Sequence, residues 1–277
     1  MVPMTTVAAC VITLLISFVL PIIVLIGFAV KNKKQGIVSA WLLGAAGFFV
    51  TQILIRLPVL TVLQSQTWFV AFAQNNPFIY AFGLAFTAGL FELAGRFAVT
   101  KLMEKKLTWK RSLAAGLGHG GIEAILLIGM TYVNNLIYIA MINSGFFDTL
   151  ITQTAELGVD IGQLVLIRTQ LVDMAPAMFL LAGFERLLAM TGHIAMSVLV
   201  CYGVAHKKVG ICALLCLGIH TLMDLTAGIS LVLPQNIAYP VIYALLSVMA
   251  AVSVVILTNI RRRWSLGDVR LENYGFL

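Results

Sequence analysis

Charged residues are scarce in this chain. Only 10% of its 277 residues are Asp, Glu, Lys or Arg, whereas 61% are hydrophobic. Soluble domains carry about 25% charged residues. The composition therefore excludes an ordinary soluble protein and indicates an integral membrane protein. The apolar runs reach about 20 residues or more and do not alternate in polarity, which predicts transmembrane helices and excludes the strands of a membrane barrel.

Cysteine is also rare, and its positions argue against a disulfide or a cysteine-based zinc site. All four cysteines lie within apolar runs and none forms a CxxC pair, so we interpret them as small packing residues: Cys10, Cys201, Cys212 and Cys216. The net charge of +7 does not indicate nucleic acid binding, because the basic residues cluster in short breaks between apolar runs. The N-terminus lacks a basic region, so the first apolar run is interpreted as a retained span and not as a signal peptide.

The apolar runs predict an all-α, polytopic transmembrane bundle that forms a single membrane domain over residues 1–277. Seven spans are predicted, at residues 5–30, 38–63, 78–100, 112–142, 175–205, 209–232 and 240–260. Two of them are longer than a hydrocarbon core of about 30 Å requires, so they are expected to tilt, protrude or break. Four glycines could loosen the fourth span: Gly116, Gly118, Gly120 and Gly121.

Lysine and arginine predict a single orientation. With the N-terminus outside and the C-terminus cytoplasmic, fourteen of the eighteen basic residues face the cytoplasm, Arg270 of the short polar tail at 264–277 among them. We therefore predict a multi-pass protein of a bacterial-type plasma membrane, surrounded by lipid. Residues 143–174 form the one sizeable outer loop, and both an amphipathic helix on the membrane surface and a plain re-packed loop are compatible with its sequence.

Ionisable residues nevertheless occur inside the apolar runs, as four constellations: Glu92 with Arg96, His119 with Glu123, Arg186 with His193, and His220 with Asp224. Such groups cost about 2.5–3.5 kcal/mol or more in hydrocarbon and are usually retained for a function. The spacings of four and seven residues place both members on one helix face. At 1.5 Å per residue, most of these side chains lie roughly 12–22 Å from the inner boundary. The common depth predicts one site lined by spans three to six.

Several kinds of chemistry suit such a site. A carboxylate in apolar surroundings can serve as a general base, and histidines with a carboxylate can hold Zn²⁺ while leaving a position for water. The set allows a metal without requiring one. Each pair also has a structural interpretation as a buried ion pair or hydrogen bond. Arg56 is assigned a structural role near the outer end of the second span, and His206 a solvated position beside two lysines.

The motif order is Glu-x3-Arg, His-x3-Glu, a lone His and His-x3-Asp, each on its own helix. This order resembles the superfamily of CAAX-prenyl-type and PrsW-like intramembrane proteases, and within it the YhfC-type intramembrane metalloprotease family. The matching segments are Phe91–Arg96, Gly118–Ala124, Glu185–Arg186 with His193, and His220–Asp224. The resemblance implies a peptidase core over residues 78–232. Phe91 stands where the superfamily has the first Glu of a pair, so Glu92 or Glu123 must supply the base.

We therefore predict an intramembrane peptidase that hydrolyses a peptide bond of a membrane-associated polypeptide. Glu123 is the predicted base and Glu92 the second choice, and Arg96 is expected to keep Glu92 ionised. His119, His193 and His220 are expected to position water or bind Zn²⁺, Asp224 to orient His220 or join the metal, and Glu185 and Arg186 to play a supporting part or merely to snorkel toward the outer face. A proton-coupled transporter and a non-catalytic scaffold or immunity-type protein are the alternatives.

Overall fold

The computed structural model describes residues 1–273, with side chains as far as residue 264. Residues 274–277 of the predicted polar tail, and the side chain of Arg270, lie outside the described residues. Seven helices in the described chain are long and apolar enough to cross a membrane: Met4–Lys31, Ile37–Gln64, Pro77–Lys106, Trp109–Asn143, Pro176–Ala205, Val209–Leu231 and Gln235–Trp264. The described residues contain no β-strand. The predicted all-α bundle of seven spans is confirmed, and the largest difference is the last span, predicted at 240–260, whose helix extends over Gln235–Asn273.

Several spans change their helical hydrogen-bonding pattern along their length. π-helical segments interrupt the first, second and fourth spans at Leu15–Val19, Phe49–Arg56 and Ala124–Gly129. The α-helices on either side of them are Met4–Leu14 and Leu20–Lys31, Ile37–Phe48 and Leu57–Gln64, and Trp109–Glu123 and Met130–Asn143. Such bulges are frequent at functional sites, because each one re-aims the side chains that follow it.

The other spans are α-helical over most of their length. The third is an α-helix over Pro77–Met103 followed by a 3₁₀ turn at Glu104–Lys106, and the sixth combines Val209–Leu225 with a 3₁₀ segment at Thr226–Leu231. The helix Pro176–Ala205 runs without interruption, and the helix of the last span extends over Gln235–Asn273. Three short helices connect the spans, at Thr67–Asn75, Phe146–Glu156 and Gly162–Asp173.

Contacts divide the chain into two compact units. The smaller unit comprises Met1–Ile23 and Ala124–Leu187, and the larger comprises Val24–Glu123 and the chain from Leu188 onward. In the smaller unit, Thr13 Oγ1 and Tyr132 OH both donate to the carbonyl oxygen of Phe179, at 2.8 and 2.9 Å. These two bonds hold segments of three spans together in the apolar core of that unit.

Residues 143–174, the predicted outer loop, belong to the smaller unit and contain the helices Phe146–Glu156 and Gly162–Asp173. Arg168 Nε donates to Asp148 Oδ1 at 2.7 Å and links the two helices. This hydrogen bond raises the pKa of the Arg168 guanidinium above its ordinary value. Of the two interpretations of this segment, the plain re-packed loop is therefore excluded because the segment is helical, and its position on a membrane surface stays a prediction.

Glycine permits an unusually close helix crossing in the larger unit. A Cβ at Gly118 would overlap the carbonyl oxygen of Trp41, and a Cβ at Gly44 would overlap that of Ala115. The second and fourth spans thus meet backbone to backbone, as small residues allow in membranes. The fourth span is not loosened by its glycines, because its α-helix continues through them to Glu123.

A second pair of glycines faces the fifth span. A Cβ at Gly116 would come within 2.7 Å of Ile194 Cα, and a Cβ at Gly120 within 2.9 Å of His193 Cβ. Gly116 and Gly120 are four residues apart and form one face of the helix, whereas Gly118 points toward the second span. His119, which lies between these glycines, is therefore held where three helices approach one another.

Candidate active site

The carboxylate of Glu92 is the centre of a buried polar cluster in the larger unit. Its Oε2 lies 2.8 Å from His220 Nε2, 2.9 Å from His119 Nε2 and 3.1 Å from Arg96 Nη2. The Glu92 side chain is only 4% exposed. One oxygen atom thereby gathers nitrogen atoms from the third, fourth and sixth spans. Without these donors, the desolvation of a carboxylate at this depth would be strongly unfavourable.

The second span supplies the partner of the other carboxylate oxygen. Gln52 Nε2 donates to Glu92 Oε1 at 2.9 Å and to the carbonyl oxygen of Ala88 at 3.1 Å. Arg56 Nη1 donates in turn to Gln52 Oε1 at 3.3 Å, and Arg56 Nη2 to the carbonyl oxygen of Leu84 at 2.7 Å. Gln52 and Arg56 both belong to the π-helical segment Phe49–Arg56. That segment turns the two side chains toward the third span.

Sequence reasoning missed Gln52, since it assigned the site to spans three to six and Arg56 to a structural role. The signal that could have found it is the pair Gln52 and Arg56 itself, because two polar residues four positions apart in an apolar run follow the same pattern as the pairs in the later spans. An amide carries no charge, however, so its presence in an apolar run is a weaker sign of a functional site than that of a carboxylate.

His193 connects Arg96 with Glu123. Arg96 Nη2 lies 2.6 Å from His193 Nδ1, and His193 Nε2 lies 2.8 Å from Glu123 Oε2. A guanidinium has no acceptor, so Nδ1 must accept this hydrogen bond. A neutral imidazole then carries its proton on Nε2, the ring nitrogen that lies close to Glu123. The geometry therefore specifies one tautomer of His193 and a continuous path from Glu92 through Arg96 and His193 to Glu123.

Ring contacts hold the histidines in place. The rings of His119 and His193 stack with centroids 5.4 Å apart, and His220 meets His193 edge to face at 5.4 Å. The edge of Phe48 packs on His119, also at 5.4 Å. All three histidines are buried. Their ring nitrogens consequently have little rotational freedom and point at the two carboxylates.

Four of these residues form a group that could hold a metal ion. Glu92, His119, Glu123 and His193 each offer one ligand atom, and the four atoms lie within 4.8 Å of one another. Two imidazole nitrogens with two carboxylate oxygens are a donor set that suits Zn²⁺, which prefers tetrahedral coordination by such atoms. The residues present therefore fit a zinc ion by the chemistry of their donors.

Two of the remaining predicted site residues, His220 and Asp224, lie beside this group. His220 contacts Glu92, a member of the group of four. Asp224 Oδ2 lies 3.4 Å from His220 Nδ1, and the Asp224 side chain is 41% exposed. Asp224 thus contacts the ring nitrogen of His220 that does not face Glu92. The predicted metal ligands, in contrast, were His119, His193, His220 and Asp224. Glu185 and Arg186 pair with each other in the smaller unit.

A small cavity adjoins the cluster. It offers about 10 Å³ to the centre of a water molecule and is lined by Arg96, His119, Thr100 and Ser197 together with small residues. A volume of this size holds one water molecule. Arg96 Nε and Nη1 and Ser197 Oγ are buried without a hydrogen-bond partner among the described residues. The cavity therefore has room for a water molecule next to Arg96, Ser197 and His119.

Comparison with known proteins identifies relatives of this chain. The model of a family described as "YhfC intramembrane metalloprotease" matches residues 16–246, a range that contains every residue of the cluster. A protein of Bacillus subtilis (strain 168), named "Uncharacterized membrane protein YhfC", is 32% identical over 195 residues, which cover 70% of this chain and 73% of the relative. No solved structure matches the chain.

Proposed function

Because the chain belongs to the YhfC intramembrane metalloprotease family, we propose that it is an intramembrane peptidase that cleaves a membrane-associated polypeptide with an activated water. Family membership confirms the resemblance seen in the motifs, whereas kinship with the wider PrsW-like and CAAX-prenyl-type superfamily stays a prediction. The observation that carries the proposal is the buried group of Glu92, His119, Glu123 and His193. Residues 78–232 are the proposed peptidase core, with Gln52 added from the second span.

Glu123 is the proposed general base. Both oxygens of Glu92 already accept hydrogen bonds or contact ring nitrogens, from Gln52, Arg96 and two histidines. The Glu123 side chain is 12% exposed against 4% for Glu92, so water reaches it more readily. A base must lie within hydrogen-bond reach of the water that it deprotonates. Glu92 then serves as the anchor that orients the donors around it.

Proton transfer and charge stabilisation follow from the same geometry. Glu123, having taken a proton from water, is positioned to give it to the leaving amine, and His193 Nε2, 2.8 Å from Glu123 Oε2, helps to hold the carboxylate in place. Arg96 is a permanent cation beside His193 and supplies donors for the oxyanion that develops on a scissile carbonyl. The buried surroundings strengthen this interaction, since few water molecules compete for the donors.

A zinc ion is part of the proposal. Glu92, His119 and His193 would hold it while Glu123 stays available as the base, and His220 is a further candidate ligand because its Nε2 lies 2.8 Å from Glu92 Oε2. Asp224 is proposed to orient His220. When bound, zinc would lower the pKa of a coordinated water and polarise the substrate carbonyl.

The proposed setting is the plasma membrane of a bacterium, with the N-terminus outside. The basic residues support this orientation, since fourteen of eighteen lie in segments that it places on the cytoplasmic side. The proposed partners are membrane lipids and a polypeptide substrate, which reaches the buried cluster from the bilayer or the cytoplasm.

The proposal can be tested by comparing the new protein termini in membranes from cells that express different forms of the chain. Wild type and Glu156→Gln, an exposed glutamate in the outer loop, should generate the same new termini. Glu123→Gln should lose them, because a general base contributes about 10²–10⁴-fold to the rate. Normal cleavage by Glu123→Gln at wild-type abundance would remove Glu123 from this role.

Elemental analysis of the purified protein tests the metal. We expect one zinc per chain, retained in His206→Ala and lost in His119→Ala and His193→Ala. His206 is a matched control, because it stacks on Tyr202 with centroids 4.1 Å apart and is not a member of the group of four donors. Equal zinc content in all four proteins would place the metal elsewhere.

One observation favours a second function, that of a non-catalytic scaffold. Glu92 gathers polar side chains of the second, third, fourth and sixth spans, which is what a helix clamp requires. A clamp predicts that His193→Ala and His220→Ala lower the unfolding midpoint and that Glu123→Gln changes no cleavage product. The peptidase proposal predicts lost cleavage in a folded Glu123→Gln protein.

A further inference from the structure

A second concave site lies in the larger unit, away from the buried carboxylates. This recess offers about 620 Å³ to the centre of a water molecule. Its lining comes from the segments that connect the first span to the second and the third to the fourth, and from the end of the seventh span. We call it the basic recess and define it by six of its lining residues: Lys34, Lys106, Trp109, Lys110, Arg111 and Trp264. Its volume falls within the range of about 300–1,000 Å³ that is usual for small-ligand sites.

The lining of the basic recess carries charge of one sign. Among the residues whose side chains the structure describes, which end at Trp264, four of the lining residues are Lys or Arg and none is acidic. The nearest acidic residue along the chain, Glu104, forms an ion pair with Lys101 at 3.0 Å, and neither residue lines the recess. The site therefore attracts an anion, and low-dielectric walls would concentrate that field.

Two helix N-termini meet at the same place. The helix Ile37–Phe48 begins after Gly36, and the helix Trp109–Glu123 begins after Thr108, and both preceding residues line the recess. Arg111 Nη1 donates to the carbonyl oxygen of Gly36 at 3.2 Å, which ties the two N-termini together. Helix N-termini present backbone N–H groups and the positive end of the dipole, and both favour phosphate.

Two tryptophans beside the recess support a position near the membrane surface. The rings of Trp109 and Trp264 meet edge to face with centroids 6.3 Å apart. Trp264 is buried and also lies 6.1 Å from the ring of Tyr202. Tryptophan and tyrosine are enriched where the acyl region meets the headgroups. A ligand in the recess would consequently sit at headgroup level.

We propose that the basic recess binds the phosphodiester of an anionic lipid headgroup. Phosphate is the shared chemistry of a lipid headgroup and a free phosphate ion, and the aromatic wall beside the cations favours the lipid. Basic pockets between transmembrane helices are a recognised means of holding such headgroups. The inference is independent of the peptidase activity, because none of the buried carboxylates or their histidines lines the recess.

Native mass spectrometry of the purified full-length protein tests the proposal, with phosphatidylglycerol and phosphatidylcholine as probes. Wild type should retain phosphatidylglycerol in preference to phosphatidylcholine. The double variant Lys106→Gln, Lys110→Gln should bind it about thirtyfold more weakly, because each cation near the surface contributes close to a factor of five. The control Lys33→Gln, Lys105→Gln removes the same charge at two positions next to lining residues but outside the lining, and should retain wild-type affinity.

The outcomes separate the possible explanations. Equal weakening in both double variants would show diffuse surface charge and would overturn the proposal, as would equal retention of the two lipids by wild type. Displacement of phosphatidylglycerol by inorganic phosphate, with the same dependence on Lys106 and Lys110, would overturn the lipid as the ligand. Unfolding midpoints that match wild type would confirm that both double variants are folded.

Discussion

The contributions of Glu92 and Arg96 to the free energy of unfolding should be strongly coupled. Arg96 Nη2 lies 3.1 Å from Glu92 Oε2, and the two side chains are 2% and 4% exposed. In Glu92→Gln, the guanidinium would remain buried without its counter-charge. In Arg96→Met, Glu92 would keep Gln52 and two histidines as neighbours. The two single variants should therefore both be destabilised, the first more than the second.

The magnitude follows from the burial of the pair. Removing one partner of a buried ion pair costs about 3–5 kcal/mol, chiefly because the other charge is left uncompensated in a low dielectric. The double variant Glu92→Gln, Arg96→Met leaves no isolated charge and should recover much of this loss. We expect a coupling free energy of about 2 kcal/mol or more, within the upper range found for residues in one network.

Reversible unfolding in mixed detergent micelles would measure the four free energies of this cycle. The chain provides a matched control at the end of the same span, where Lys101 and Glu104 form an ion pair with side chains that are 62% and 53% exposed. An exposed pair contributes only about 0.2–1 kcal/mol. The same cycle at Lys101 and Glu104 should accordingly give a coupling below about 1 kcal/mol.

The refuting result is additivity. If the losses in Glu92→Gln and Arg96→Met sum to that of the double variant within about 0.5 kcal/mol, the two groups do not depend on each other. Glu92 would then not be the centre of the cluster, and its assignment as the anchor of the site would fail.

Other predictions concern residues around this centre. Gln52→Leu should lower the unfolding free energy by about 1.5–3 kcal/mol, because a hydrogen bond to a charged group is lost. If Gln52 positions the Glu92 carboxylate, the same variant should also lower kcat and leave KM unchanged. Equal changes in kcat and KM would contradict this role. Gly118→Ala should lower the unfolding free energy by about 1–3 kcal/mol through overpacking, whereas Gly83→Ala, which meets nothing within 4 Å, should be neutral or stabilising. Asp224→Asn should reduce cleavage by about 10–100-fold and His220→Ala by more, since Asp224 acts through His220; measured rates in the reverse order would refute that dependence.

The spans illustrate what could be predicted without coordinates. Hydropathy is a local property, because any segment of sufficient length and low polarity can satisfy its backbone only as a helix in lipid. The predicted spans and the family membership are confirmed. The spacing of four residues likewise places Glu92 with Arg96, and His119 with Glu123, on common faces without knowledge of their neighbours.

Gln52 and Asp224 illustrate what could not be predicted. Gln52 reaches Glu92 from the segment Phe49–Arg56, where the second span becomes π-helical, and hydropathy does not predict this change. Asp224, in contrast, lies at the expected spacing from His220 yet stays partly exposed behind it. Depth in the membrane was a common feature of the predicted residues, but depth does not specify how each helix is rotated.

The amino-acid sequence by itself determined the membrane location, the seven spans, the motifs and the faces that carry them, since each depends on residues close together along the chain. The tertiary structure alone decided which oxygen meets which nitrogen, that Gln52 joins the cluster and that His193 bridges Arg96 and Glu123. These contacts depend on helix rotation and crossing distance. Both are set by packing between segments far apart in sequence, for which no local pattern of residues is sufficient.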